Sequence, residues 1–195
     1  QCVIGIACSV PGRSTLNGDI AAGQMLWING TLRNMATLTS TRGFTNEGTS
    51  RLESSESVEQ SQLIVPNGTL VNTGLIEVEN GSGGARTIAP NLDNRGVLRV
   101  NCPFAGLTYY PKTYDGQFPN EDRGFYVNTG VFDISPGSKL DIRGGTLSLR
   151  DPGMVSGGGE LVLFRLIFYG TGTIGANVAA HNTVLNPGIS GAGAL

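Results

Sequence analysis

Proton-transfer and nucleophilic chemistry has few residues to draw on in this chain. The one histidine, His181, sits in the stretch VAAHNTV, and a nucleophilic triad would need it beside a serine and a carboxylate. No Gly-x-Ser-x-Gly elbow accompanies it, so an exposed position on a coil is expected for it. Glycoside chemistry would need paired carboxylates. Asp133 and Asp141 lie on expected strands, but no Asp-Asp or Asn-Thr-Asp cluster surrounds them. The Gly-rich runs at Gly81–Gly84 and Gly157–Gly159 lack the Gly-Lys-Ser ending and following helix of a phosphate cradle. Cys2, Cys8 and Cys102 form no CxxC motif and no Cys/His cluster, so no metal site is expected. The residues predict a non-catalytic chain without cofactor or metal.

Binding chemistry is better represented. The stretch from Asn101 to Phe125, with Tyr126, gathers Phe104, Tyr109, Tyr110, Tyr114, Phe118, Phe125 and Tyr126, with prolines among them. Tyrosine and phenylalanine rings stack on sugars or anchor a protein interface. Tyr109, Tyr110, Tyr114 and Phe118 are therefore the candidate binding residues, for a surface glycan or a protein receptor. The competing expectation is that the rings pack on one another as a local core. Asp115, Asn120, Glu121 and Asp122 add oxygen ligands, but at no calcium-loop spacing, and solvated charges are expected there. Asn29, Asn67 and Asn80 each begin an Asn-x-Ser/Thr acceptor pattern.

The elements that must position these residues are written in a repeat. The tetrapeptide VNTG occurs at Val71–Gly74 and again at Val127–Gly130. A broader pattern, apolar-x-Asn-x-Gly-x-apolar-x-apolar, fits Leu70 to Val78, Leu92 to Val100 and Tyr126 to Ile134. Degenerate copies run Leu32-x-Asn34-x-Ala36-x-Leu38 and Phe44-x-Asn46-x-Gly48, the second continuing to Leu52. Each copy reads as a short strand, a corner at Asn-x-Gly and a second strand with alternating apolar residues. Left-handed backbone angles, which Asn and Gly tolerate, are expected at the corner. Asn34 is either a second corner of one coil or a false match.

Stacking such units gives an all-β parallel β-solenoid forming a single domain over residues 1–195. At roughly 20 to 25 residues per coil, eight or nine coils are expected. Asn72, Asn94 and Asn128 would then stand at equivalent corners and form an amide ladder, the alternative being three independent turn residues. Residues 1–16 are expected as an N-terminal cap and residues 101–125 as an inserted aromatic-rich loop. Cys2 and Cys8 are close enough to bridge and pin that cap; whether they do is open, and Cys102 would be left as a small buried hydrophobe. Downstream, Leu140, Ile142, Leu147 and Leu149 share a face with Gly144-Gly145 as a corner. Leu161 to Tyr169 reads as one strand buried on both faces. Ser50 to Gln62 reads as a polar surface excursion.

Composition agrees. Glycine is abundant at 30 residues and charged residues make up 14%, which favours turns over helices. A net charge of -2 leaves no electrostatic footprint for nucleic acid or an anionic membrane. No apolar run reaches the roughly 18 residues of a membrane-spanning helix, so no membrane insertion is expected. Gln1-Cys2-Val3-Ile4 lacks the basic start and apolar region of a signal peptide. Starting at Gln rather than Met fits a mature or excised segment.

The tail GTGTIGANVAAHNTVLNPGISGAGAL and the Leu-x-Asn-x-Gly-x-Ile-x-Val units resemble coils in passenger regions of bacterial autotransporters and related surface adhesins. The resemblance covers roughly Gly68 to Leu195. It implies a right-handed parallel β-helix displayed at a cell surface, although the membrane-embedded β-barrel of an autotransporter is not within these residues. The functional expectation is a secreted or cell-surface structural rod, in an adhesin or a self-assembling filament. It would associate end to end or continue into a longer parent chain. The alternative is a carbohydrate-binding module or polysaccharide-acting enzyme using the aromatic loop.

Overall fold

The computed structural model describes residues 7–10, 12–31, 34–55, 59–82, 84–103, 105–108 and 124–188. No helix occurs among them, and parallel strands stack into the coils of a β-solenoid. Each coil contributes three strand positions. The first face is an 8-stranded parallel sheet: Ala7–Val10, Met25–Gly30, Thr49–Ser54, Leu75–Glu79, Val97–Asn101, Val131–Ile134, Met154–Ser156 and Thr173–Ile174. All but the two end strands, about six turns, are sandwiched between neighbours.

The second face runs Arg13–Thr15, Ala36–Thr39, Ala105–Thr108, Lys139–Arg143, Glu160–Phe164 and Asn177–His181. The third runs Phe44–Asn46, Phe125–Asn128, Thr146–Leu149, Ile167–Gly170 and Val184–Pro187. The long strands Ser61–Asn72 and Arg86–Asn94 pass through both, joining them into one sheet.

Alternation places every second residue inside. Leu26, Ser50, Ile76, Leu98, Phe132 and Val155 form one inward file on the first face, in unbroken register. Leu38, Leu63, Ile88, Leu107, Ile142 and Leu163 form another on the second. Phe44, Leu70, Leu92, Tyr126, Leu147 and Phe168 line the third. With further inward files such as Ile28, Leu52, Val78, Val100 and Ile134, and with Ser50 as a polar exception, these residues make up one hydrophobic core among the described residues. Like residues stack directly over one another, so the burial that drives folding repeats at each coil.

Several sequence expectations change here. Ser50 to Gln62 is not a surface excursion throughout, since it enters a first-face strand with Leu52 fully buried. Ser50, Ser54 and Ser61 are buried with their hydroxyls bonded. Ser50 Oγ donates to Asn46 Oδ1 at 3.2 Å, Ser54 Oγ to Glu59 O at 2.5 Å, and Ser61 Oγ to Glu53 O. A buried hydroxyl costs little once bonded, so serine content alone does not mark a loop.

Leu161 to Tyr169 is two strands rather than one, with a corner at Arg165 (φ 53) that turns Leu163 and Phe168 inward on different faces. Within the expected 101–125 insertion, Ala105–Thr108 is a second-face strand paired with both neighbouring coils. Of the expected 1–16 cap, Ala7–Val10 and Arg13–Thr15 pair in register as first-coil strands.

The Asn-x-Gly corners also work differently from the expectation. Among the described residues, only Arg165 and Asn182 are non-glycines with positive φ, and Gly74, Gly96 and Gly130 do not have it either. These glycines are needed because coils touch. A Cβ on Gly96 would fall well inside 3.0 Å of Gly74 O, and one on Gly130 would meet Gly96 O as closely. The corner Gly144-Gly145 does use left-handed angles, at φ 69 and φ 83.

Candidate functional site

Behind the third face the structure brings Asn72, Asn94 and Asn128 together and adds Asn46. Asn46 Nδ2 donates to Asn72 Oδ1, Asn72 Nδ2 to Asn94 Oδ1 and Asn94 Nδ2 to Asn128 Oδ1, each at 2.7 Å. Each amide also donates to a backbone carbonyl of the next coil: Leu75 O at 3.0 Å, Val97 O at 3.1 Å, Val131 O at 3.2 Å and, from Asn128, Met154 O at 3.0 Å. All four side chains are fully buried. The file begins where Ser50 supplies a hydroxyl to Asn46 and ends where Leu149 replaces asparagine in the register. Asn34 is exposed and lies at the corner between the first and second faces.

Outside this file the third face is grooved. Two adjoining depressions of about 410 and 620 Å³ meet across Phe125, Val127 and Arg150. Register explains the grouping: Asp93, Val127, Ser148 and Tyr169 stack as outward neighbours on successive coils. Phe125 is 58% exposed and Tyr169 39% exposed. The Phe125 backbone is tied to the coil before it, its N–H donating to Asn91 Oδ1 at 3.0 Å. Arg150 Nε donates to Ser148 Oγ at 3.0 Å. Arg95 clasps Asp93 Oδ2 through Nε at 3.0 Å and Nη2 at 2.6 Å. That hydrogen bond, and then the Asp93 charge, hold the Arg95 guanidinium above its ordinary pKa.

The remaining sequence candidates are dispersed. Tyr109, Tyr110, Tyr114 and Phe118, the carboxylates Asp115, Glu121 and Asp122, and Cys2 with its pairing to Cys8 lie outside the described residues. Asp133 faces out from the first face against Arg99 at 3.3 Å, whereas Asp141 faces out from the second against Arg143 at 2.6 Å. His181 is exposed at the far end, in register with Phe164. Cys102 is buried. Asn29 is buried and accepts the Ser55 N–H at 3.2 Å, while Asn67 and Asn80 are exposed.

The sequence reading passed over Arg150, Ser148 and Tyr169. One signal for Phe125 and Tyr169 was available: both are aromatic residues in the outward phase of a strand's alternation, where no core requires them. Compared with known proteins, the chain matches no family model, no curated protein and no solved structure.

Proposed function

We propose that this chain is a non-catalytic structural module of a secreted or cell-surface protein, a stiff rod whose ends extend by further stacking. One observation carries the reading. Val178 and Leu185 continue the inward files of Leu161 and Phe168, yet each is 39% exposed. Core-phase residues at the last described coil thus meet no next coil among the described residues. Uncovered apolar surface beside unpaired strand edges favours association with another coil. The asparagine file supports the rod, because it links four successive coils through their side chains as well as their backbones. The autotransporter-like motifs support export to a surface.

Negative-stain electron microscopy and sedimentation over a concentration series test the reading. End-to-end filaments or dimers are expected to form with concentration and to disappear in Val178→Asp and Leu185→Asp. A wild-type chain that stays monomeric at every concentration overturns the assembling form. Circular dichroism of the variants establishes that their loss of assembly is not a loss of fold.

A further inference from the structure

We propose that the grooved third face is a carbohydrate-binding surface, with Phe125 and Tyr169 as stacking platforms and Arg150 with Ser148 as hydrogen-bonding groups between them. This assignment does not rest on the assembly of the rod, and it uses residues other than those of the 109–123 segment. The strand Phe125–Asn128 pairs on both sides, with Leu92–Asn94 and with Thr146–Leu149, and the latter pairs in turn with Ile167–Gly170. No strand edge is open at the groove, so a peptide cannot add there as a strand. Recognition must come from side chains alone.

Those side chains are of the kinds that hold sugars. Phe125 is the most exposed large hydrophobic residue among those described, at 58%, and Tyr169 stands 39% exposed. Register sets them two coils and two residues apart, a separation of roughly 12 Å from strand spacing and rise. That span suits a short oligosaccharide whose ring faces rest on the two aromatic rings. On the coil between theirs, Ser148 and, two residues further on, Arg150 both line the same depression of about 620 Å³. Arg150 forms no ion pair among the described residues. It uses Nε on Ser148, so its two terminal nitrogens keep four N–H donors for vicinal hydroxyls or a sugar carboxylate. Arg95, by contrast, is occupied by Asp93. The coils beneath hold these groups in fixed register, so little ordering is needed on binding.

The test is an array of immobilised neutral and acidic oligosaccharides, followed by titration calorimetry with whichever soluble oligosaccharide binds best. Phe125→Ala and Tyr169→Ala are expected to weaken binding at least tenfold each, with unchanged circular dichroism. Arg150→Ala should weaken binding too, and more for acidic than for neutral oligosaccharides. The Leu185→Asp variant, altered outside the groove, should bind as wild type. Absence of binding to every oligosaccharide overturns the proposal. So does undiminished binding by Phe125→Ala and Tyr169→Ala, including the case in which only Tyr109→Ala with Tyr110→Ala abolishes it, which would move the surface to the 109–123 segment.

Discussion

Asn94 and Asn128 lie 34 positions apart in the chain and are joined by a 2.7 Å hydrogen bond between their buried side-chain amides. Asn94 also accepts from Asn72 at 2.7 Å and donates to Val131 O, so it is bonded on both sides. A neutral hydrogen bond adds about 1 kcal/mol, but a buried polar atom stranded by removal of its partner costs about 1–3 kcal/mol. Asn94→Ala leaves Asn128 Oδ1 without its donor and Asn72 Nδ2 without one acceptor. Destabilisation of about 3 kcal/mol is expected in urea unfolding. A loss below about 1 kcal/mol would mean that the amide file is incidental to stability.

The corner glycines separate two causes of glycine requirement. A Cβ on Gly96 would collide with the backbone carbonyl of Gly74, which cannot swing aside without moving a coil. Gly96→Ala is expected to cost about 3 kcal/mol, at the upper end of overpacking losses. Gly144 has φ 69 and open space around it, so Gly144→Ala should cost only about 1–2 kcal/mol. Thermal melts of the two variants decide this; equal losses would contradict the close-approach account.

Outward on the first face, Arg99 stands between Glu77 at 3.5 Å and Asp133 at 3.3 Å, one on the coil before and one on the coil after. The group is only partly covered, and solvent-accessible pairs of this kind contribute about 0–1 kcal/mol. Arg99→Ala should lower the melting temperature slightly at low salt. At about 1 M salt, where the screening length is about 3 Å, the difference should vanish. A salt-independent loss would point to packing of the arginine stem instead.

Leu147 and Leu185 occupy the same inward file two coils apart, one fully buried and one 39% exposed. Leu147→Ala should cost about 2–5 kcal/mol. In the monomer, Leu185→Ala should cost about 1 kcal/mol at most, because much of its surface stays in water. If the cost at Leu185 rises with protein concentration, that residue becomes buried in the assembly. Denaturation at two protein concentrations measures it.

How much of this was legible differs between the inside and the outside of the coil. Leu70-x-Asn72-x-Gly74-x-Ile76 reads directly as a corner because inward residues repeat coil after coil and each is bound to its own kind above and below. Asn46 stood in a weakened copy of the same pattern, and Ser50, which satisfies its carbonyl oxygen, looked like loop material only because hydroxyl partners are invisible in sequence. The corner glycines were recognised for the wrong reason, since steric contact with another coil leaves no local mark. The groove was illegible as a group. Asp93, Val127, Ser148 and Tyr169 become neighbours only through register, and the intervals between coils are too uneven to assign register by counting. Phe125 and Tyr169 could have been suspected singly, never as a pair.

The uneven intervals carry a consequence of their own. Steps of 26, 22 and 34 positions between successive asparagines close onto the same 2.7 Å bond. Ladder geometry is therefore indifferent to how much chain departs between one rung and the next, as weak dependence of closure entropy on loop length allows. Between Asn94 and Asn128 the strands Val97–Asn101 and Ala105–Thr108 keep their places in the coil, so the rest of that interval acts as a socket, where sequence can lengthen or be exchanged while the scaffold keeps its dimensions. A foreign epitope placed there would inherit a rigid mount.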